Sequence, residues 1–522
     1  MNTNGVRKKL PWLKPIFLLL GATFYVYFSL HAVDKILHYF KINIFADWYA
    51  KDLSTLINGV AGLPEAITAI LGIEITTLAI VVQLAANKYS SKIFDLFLKN
   101  RVNVIVMFIF ILTAACTLLV TNTLRESEPL PGFTITVTLF LIVTSLIIII
   151  PHFNYVFYFL KPENFLTFVR EDITKKIKKV ADGEKPFIKA DIEEVKEGIN
   201  FMGDVAINSV VFGDRAVSLL CVSNLQQFAV EYINYKKNLP EGWFKLTGTE
   251  GLDPDFSSFA NFVMSRIAEQ KILIETKVFK VYELLFDNSR RNLRDVASGV
   301  LFNSEMIATS AIKSGDSGSL KIILQYFNTY IRIGIRERDP RAVFTTLEHY
   351  RLVAEALLDY NPKRVEEVSF YFKYYGQEAE KNNVFFILET VSYDLCILNE
   401  RAYEKNVPNI RELLDIFLTL DQPITDKKTP VAESKEVSLI GVRIAQARLA
   451  AFYLRNNEND LAKLIYEDMK VEPVSRIEKI KNVIFTTTNE EFWEITPRGI
   501  NFYYMSDSRK EALKTFFSWF EE

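Results

Sequence analysis

The sequence predicts an all-α membrane protein: a four-helix transmembrane domain followed by a large cytoplasmic helical domain of irregular helical hairpins. Three observations support this fold class. Four long apolar runs come first, basic residues cluster beside alternate ends of these runs, and apolar residues then recur at three- and four-residue spacing. We therefore expect a transmembrane domain over 1–161, a helical-hairpin domain over 162–490 and an aromatic C-terminal cap over 491–522.

Each apolar run is long enough to cross a bilayer as a helix, which takes about 20 residues for ~30 Å of hydrocarbon. The predicted spans cover about 15–33, 64–87, 102–124 and 133–160. We do not interpret the first run as a cleaved signal peptide, because no small-x-small cleavage site follows it and three further spans do.

Lysine and arginine indicate the orientation. Fourteen of them flank one side of the spans: Arg7, Lys8, Lys9, Lys14, Lys88, Lys92, Lys99, Arg101, Lys161, Arg170, Lys175, Lys176, Lys178 and Lys179. The other side has Lys35, Lys41, Lys51 and Arg125. The positive-inside rule then predicts a multi-pass protein of the cell inner membrane with both termini in the cytoplasm. The first connection is amphipathic, and Trp48 and Tyr49 suit a helix lying at the bilayer surface.

Composition excludes some function classes. A net charge of −2 over 522 residues, without a basic tail, argues against a nucleic-acid partner. The three cysteines, Cys116, Cys221 and Cys396, lie far apart and predict no disulfide framework.

One face of the second span is small and polar. At ~100° per residue this face collects Glu65, Ala69, Gly72, Thr76, Ala79, Gln83, Asn87 and Ser90. Two interpretations stay open. The face either packs closely against another helix through interhelical hydrogen bonds, or it lines a hydrated path through a homo-oligomer with Thr76, Gln83 and Asn87 as the pore-lining residues.

Glu74 lies on the opposite, apolar face of the same span. A carboxylate in hydrocarbon is costly, and no lysine or arginine occurs within the four predicted spans to pair with it. The available partners include hydroxyls, amides, His152 on the fourth span and His31 near the end of the first. Glu74 is therefore either protonated and hydrogen-bonded to a neighbouring helix, or it acts, with His152 as a second titratable group, as a gate or ion ligand.

The third and fourth spans carry further polar residues. Thr113, Thr117 and Thr121 follow one another at four-residue spacing and are expected to bond their own i−4 carbonyls. Pro151 predicts a kink or break in the fourth span. His152 and Asn154 beside it serve either as a hinge or as partners for the backbone that the proline frees.

The stretch VVQLAANKYSSKIFDLF, residues 81–97, resembles the signature of a prokaryotic multi-pass family of predicted membrane proteins of unknown function. Gln83, Leu84, Ala85 and Ser90 match that signature, as does the hydroxyl of Thr76, whereas Ser91 and Lys92 depart from it. The resemblance covers roughly the first 170 residues, including PHFNYVFYFLKPENF. It implies the multi-pass topology, but it indicates neither a substrate nor an activity.

Beyond Leu160 the sequence predicts helix–turn–helix units whose second helix begins at an acid or amide. These residues are Asp214, Asp316, Asp339 and Asn459, each as an N-cap or in the first turn. Breaks are expected at 181–186, 239–255 and 421–436, where glycine, proline and charged residues cluster.

We find no phosphate-binding loop, HExxH motif or Cys/His ligand set, and His349, the one histidine of this region, has no evident partner. We therefore expect no enzyme, no cofactor and no metal site.

Two function classes remain. The first is a homo-oligomeric ion channel or channel-like membrane sensor with a cytoplasmic regulatory domain. The alternative is a membrane-anchored scaffold or signalling protein whose helical domain binds a cytoplasmic protein partner. Glu74 favours the first, because a span that only anchors has no need of a buried acid.

The topology can be tested by cysteine labelling in intact cells. An impermeant thiol reagent applied outside should label cysteines placed at Asn58 and Ser127, and it should leave those at Asn4 and Ser90 unlabelled. Labelling of position 90 from outside would contradict the four-span topology.

Overall fold

The structure is a computed structural model that describes residues 13–42, 44–49, 53–124, 130–246, 253–384, 386–421, 433–492, 494–496 and 498–521. The chain divides into two compact units, Met1–Phe165 and Leu166–Glu522. Arg7, Lys8 and Lys9 of the N-terminal tail, Lys51, Arg125 and the labelling positions Asn4 and Ser127 lie outside the described residues.

The first unit contains four helices that are long and apolar enough to cross a membrane. They are α1 (Leu13–Tyr39), α4 (Leu63–Lys88), α6 (Arg101–Thr123) and α7 (Gly132–Phe159). The predicted all-α fold with four spans is confirmed. The first helix runs six residues past the predicted end at 33, because the chain does not turn until Lys41 takes a positive φ of 57°.

Short helices connect the spans: α2 (Ile44–Tyr49), α3 (Leu53–Ala61) and α5 (Lys92–Lys99). The aromatic residues predicted for the bilayer surface lie on α2. The Trp48 side chain is exposed, and the Tyr49 hydroxyl lies 3.1 Å from Thr136 Oγ1 of α7. Ser90 proves to be buried, so the neighbouring Ser91, which is exposed, is the better labelling position on that side.

Of the two outcomes predicted for Pro151, a kink or a break, the break does not occur, because α7 continues through the proline to Phe159. A membrane helix can keep a proline when side chains of neighbouring helices hold it in place. Asn154 is exposed, whereas His152 is buried and bonded to two other spans.

The second unit is a series of packed helices. They are α8 (Pro162–Ala181), α9 (Lys189–Val211), α10 (Arg215–Lys236), α11 (Asn261–Glu269), α12 (Leu273–Ser289), α13 (Arg294–Ser314), α14 (Ser317–Arg336), α15 (Pro340–Leu357), α16 (Pro362–Lys381), α17 (Phe386–Glu404), α18 (Ile410–Leu418), α19 (Glu433–Arg455), α20 (Asn459–Met469), α21 (Val474–Thr486) and α22 (Asp507–Ser518). A 3₁₀ turn, Glu241–Phe244, follows α10. Within the described residues the β structure is one isolated antiparallel bridge between Glu491 and Ile500.

The predicted helix starts are largely confirmed. The carboxylates of Asp214, Asp316 and Asp339 each accept a hydrogen bond from a backbone N–H in the first turn of α10, α14 and α15. Asn459 is instead the first residue of α20, with Glu458 at the N-cap position. The predicted break at 181–186 falls between α8 and α9, and the described part of the predicted break at 239–255 falls between α10 and α11. Residues 247–252 of the second break and 422–432 of the third, predicted at 421–436, lie outside the described residues.

Candidate functional site

The second span turns its apolar face inward, and Glu74 goes with it. Glu74 is buried beside Ile67, Leu78 and Val82, where α4 packs against α6. His31, the other histidine considered as a partner, stacks on the Tyr27 ring of its own helix at 6.1 Å. Glu74 therefore finds its partner elsewhere.

That partner is His152. Glu74 Oε1 lies 2.8 Å from His152 Nδ1, and His152 Nε2 lies 3.2 Å from Asn103 Oδ1. The three residues are 4%, 2% and 1% exposed. They come from α4, α7 and α6, so one hydrogen-bonded chain joins three of the four spans. We call these three residues the intramembrane network.

The hydrogen bonds of Asn103 restrict which atoms of His152 and Glu74 can carry protons. Asn103 Nδ2 donates to the Phe97 carbonyl at 2.9 Å, so its Oδ1 is free to accept and His152 Nε2 carries a hydrogen. His152 Nδ1 then either accepts a proton from a neutral Glu74 or donates one to a charged Glu74. In both arrangements a single proton lies between Glu74 and His152, and the pair has no net charge.

The second oxygen of Glu74 has no such partner. Glu74 Oε2 is buried and has no hydrogen-bond partner among the described residues. Buried polar atoms are normally satisfied, so an unpaired carboxylate oxygen is a place that a proton or a water molecule can occupy.

Asn103 lies near the end of α6 that carries a basic residue. Arg101, which is exposed, precedes Asn103 by two residues, or about 3 Å along the helix. One turn beyond His152, the Tyr155 hydroxyl and the Asn100 amide exchange hydrogen bonds of 2.8 and 3.1 Å. The opposite end of α7, at Thr134, is 18 residues or roughly 27 Å from His152. Glu74, by contrast, is 14 residues or roughly 21 Å from Lys88 at the basic end of α4. The network thus comes close to the side marked by basic residues at Asn103, whereas Glu74 lies near the middle of its helix.

The small polar face of α4, which we call the stripe and which carries Gly72, Thr76, Ala79, Gln83 and Asn87, is exposed in the part of the chain that the structure describes. Thr76, Gln83 and Asn87 are exposed, and the Thr76 hydroxyl donates to the Gly72 carbonyl of its own helix at 2.8 Å. Gln83 lies nine residues, or about 14 Å, beyond Glu74 toward Lys88. Its amide is therefore nearer to the basic end of the unit than to the level of Glu74, and the structure does not bring the stripe and the network together.

The threonines of the third span behave as their spacing predicts. Thr113, Thr117 and Thr121 each donate to the carbonyl four residues earlier. Thr113 Oγ1 also lies 3.0 Å from Ser145 Oγ, so α6 and α7 share a second polar contact. The three hydroxyls are thus satisfied mainly by carbonyls of their own helix.

Asp34 is a polar residue whose role the sequence did not reveal. Its carboxylate accepts hydrogen bonds from the backbone N–H groups of Phe133 and Thr134 at 2.8 and 2.9 Å, and also from the Thr134 hydroxyl. It thus caps α7 from another helix, where a negative charge also suits the helix dipole. The sequence does show an acid directly after the first apolar run, but nothing in it indicates that this acid bonds a residue 100 positions away.

Within the described residues no group of three or more His, Cys, Asp and Glu side chains could hold a metal ion. His349, the histidine of the second unit, is bonded through Nδ1 to Glu305 Oε2 at 2.7 Å. The intramembrane network offers one carboxylate and one imidazole, which suit a proton better than a metal.

Residues 8–201 match the family described as predicted membrane protein (DUF2254). This match covers the four spans and confirms the resemblance drawn from the second span. No curated protein and no solved structure matches the chain. Together the family match and the four apolar helices identify the chain as a membrane protein.

The network predicts a difference between two substitutions at Glu74. Glu74→Gln keeps a side chain that can donate to His152 Nδ1, so we expect the fold to be retained. Glu74→Leu leaves that buried nitrogen without a partner and should lower the stability of the membrane unit by about 1–2 kcal/mol. Thermal unfolding of the purified protein in bicelles measures both. Glu65→Leu, at an exposed position of the same helix, is the control. Equal stability of all the variants would show that the network contributes nothing to the fold.

Proposed function

We propose that this protein is a homo-oligomeric ion channel or channel-like sensor whose state follows protonation of the Glu74–His152 pair. The observation that carries the proposal is the buried network of Glu74, His152 and Asn103, which joins three spans and leaves Glu74 Oε2 unpaired. A span that serves only as an anchor is more stable with an apolar residue at this position.

Adding or removing one proton changes the network from neutral to charged. A second proton gives an imidazolium beside a neutral acid, and loss of the shared proton gives a carboxylate beside a neutral imidazole. Either state places one net charge between helices in a medium of low dielectric constant, which favours separation of the helices or entry of water. The closest other ionisable groups on the same helices are Arg101 on α6 and Tyr155 on α7. Neither is bonded to the pair, so the pair itself carries the change.

The stripe on α4 supports assembly of several copies. Gly72 is exposed, and a Cβ atom placed on it would meet nothing within 4 Å. A glycine in a helix costs roughly 0.5–1 kcal/mol relative to alanine, and packing within this chain does not require it. Small residues of this kind allow close approach of a second membrane helix, so we infer that α4 meets α4 of another copy at Gly72, Thr76 and Ala79.

The orientation completes the proposal. With both termini in the cytoplasm, the end of α6 marked by Arg101 faces the cytoplasm, and Asn103, the network residue that bonds His152, lies within about one turn of that end. The pair would then respond to cytoplasmic pH rather than to the pH outside.

A second candidate, a membrane-anchored scaffold, is favoured by one observation. The second unit is a long series of helical hairpins, an architecture that commonly forms extended binding surfaces for other proteins. Under this candidate the lipid bilayer and a cytoplasmic protein are the partners, and the spans only anchor and oligomerise. Both candidates leave the protein without catalytic activity, cofactor or nucleic-acid partner.

The channel function is tested by flux. Vesicles that contain the native protein should pass ions in a manner that depends on pH, because a gained or lost proton changes the charge of the pair. Glu74→Gln should flatten this dependence, and Glu65→Gln, at an exposed position, should not. Gln83→Leu should lower the flux at unchanged assembly if the stripe lines the path. Absence of flux of any ion at every pH and membrane tension would support the scaffold instead.

The assembly is tested by the subunit number. Gly72→Leu fills the space that the stripe leaves open and should weaken association at least about tenfold, or ~1.4 kcal/mol, without unfolding the subunit. Gly21→Leu is the matched control, because Gly21 is an equally open glycine on α1, away from the stripe. The mass of detergent-solubilised complexes, measured over a dilution series, gives the subunit number of each variant. An unchanged subunit number in Gly72→Leu would mean that copies do not meet at this face.

A further inference from the structure

A narrow cleft in the second unit is lined by three arginines. It lies where the end of α12 meets the first turns of α13 and α15, and its volume is about 20 Å³. The charged residues of its lining are Arg290, Arg294, Arg341 and Asp339. With three arginines and one acid, the lining carries two more positive than negative charges.

The sequence around the cleft adds to this positive charge. Six arginines lie in the turn between α12 and α13 and the turn between α14 and α15: Arg290, Arg291, Arg294, Arg336, Arg338 and Arg341. The acids in or directly beside these turns are Asp287, Asp295, Glu337 and Asp339. Asp295 pairs with Arg215 of α10, and Glu337 binds three of the arginines at once. The acids therefore cannot neutralise all six arginines, and the cleft lies in a positively charged patch.

Arg290 is the buried arginine of the cleft, with 7% of its surface exposed. Its Nε donates to Asp287 Oδ1 at 3.1 Å, and its Nη2 donates to Glu337 Oε2 at 2.9 Å. Its Nη1 is buried and has no hydrogen-bond partner among the described residues, because Asp339 Oδ2, at 3.9 Å, is beyond hydrogen-bond distance. Buried N–H groups are normally paired, so Nη1 requires an acceptor that the described chain does not supply.

The other charged residues of the lining differ in how far they are already used. Asp339 caps α15, because its Oδ1 accepts a hydrogen bond of 3.1 Å from the Ala342 N–H. Arg294 and Arg341 are exposed, and in the part of the chain that the structure describes neither guanidinium is paired with a carboxylate. The Ser298 hydroxyl, also in the lining, adds a further donor. The cleft thus offers several N–H and O–H donors to an anion.

Volume and charge restrict which anion fits. A cavity needs about 10–15 Å³ to hold one water molecule, so this cleft admits one or two oxygen atoms and no ring. A carboxylate carries one negative charge, whereas a phosphate monoester carries roughly −1.5 to −2 near neutral pH and has three acceptor oxygens. The two excess positive charges match the phosphate better, and guanidinium groups bind phosphate oxygens in pairs.

We propose that this cleft is a binding site for a phosphoryl group, which places its oxygens between Arg290, Arg294 and Arg341 and accepts a hydrogen bond from Arg290 Nη1. The phosphoryl group belongs either to a soluble phosphate compound or to a lipid headgroup, since both present the same chemistry. The bound group would join the turns before α13 and α15, so it should stabilise the second unit. This site goes beyond the proposed channel function and exists whether or not the spans conduct.

The experiment uses the full-length protein in phosphatidylcholine nanodiscs and radiolabelled orthophosphate in equilibrium dialysis. The native protein should bind phosphate saturably, and acetate should not displace it. Arg294→Gln/Arg341→Gln removes the two exposed arginines of the lining and should weaken binding at least about tenfold. Absence of saturable binding to the native protein, or displacement by acetate as readily as by phosphate, would overturn the proposal.

The matched control removes the same charge outside the cleft. Arg291 and Arg338 are exposed arginines of the same two turns that do not line the cleft, so Arg291→Gln/Arg338→Gln should change binding less than about twofold. An equal loss in both double variants would mean that phosphate responds only to the charge of the patch, and no site would exist.

A third variant leaves every charge in place. Ser298→Phe puts a large side chain at an exposed position of the lining, so it should abolish phosphate binding by blocking the cleft. Phosphate should also raise the thermal unfolding temperature of the native and control proteins and leave that of the blocked protein unchanged. Undiminished binding to folded Ser298→Phe would place the phosphate elsewhere and contradict the proposal.

Vesicles distinguish the two sources of the phosphoryl group. Phosphatidylcholine vesicles that contain phosphatidic acid present a phosphate monoester at a lipid surface. If the natural ligand is a lipid headgroup, these vesicles should displace labelled phosphate at a lower phosphoryl concentration than unlabelled orthophosphate does. If it is soluble, they should compete no better than orthophosphate, and vesicles of phosphatidylcholine alone should displace nothing in either case.

Discussion

The structure of the membrane unit depends on how it neutralises one acid in hydrocarbon. Placing an isolated carboxylate in hydrocarbon costs roughly several kcal/mol of free energy, so Glu74 must share a proton with a neighbouring side chain or pair its charge with one. His152 and Asn103 provide this from two different helices, with distances of 2.8 and 3.2 Å. Hydrophobic packing is not directional, whereas these hydrogen bonds are, and they therefore fix the register in which α4, α6 and α7 pack.

A second polar anchor acts at the opposite end of the same helices. Asp34 of α1 satisfies free backbone N–H groups at the start of α7, and the network holds α7 near its other end. The fourth span is thus fixed at both ends by carboxylates from other helices. It is also the span that leads along the chain into α8.

Sequence alone could predict the parts of this arrangement that are local. Run length gives the four spans, and three of the four helix starts named in the second unit are capped as their residue types predict. Glu74 and His152 are recognisable because ionisable residues in spans are rare. Asn103 and Asp34 are not recognisable, since an asparagine near a span end and an acid just after one are common, and their partners are set by tertiary packing. The continuous helix at Pro151 has the same origin: neighbouring helices outweigh a local preference.

Buried carboxylates occur in both units, but their partners differ in kind. In the second unit Asp394 is bound by Arg498 and Arg351, and Glu275 by Lys236, cations that keep their charge at any physiological pH. In the membrane unit the partner is an imidazole, the side chain that most readily gains or loses charge near neutral pH. A permanent cation would fix the membrane pair as a salt bridge with a high desolvation cost. Histidine allows the pair to remain neutral with the shared proton on either side, and the same property lets one added or lost proton change the charge between three helices. The choice of partner, more than the presence of the acid, is therefore the feature on which the proposed responsive function of the membrane unit rests.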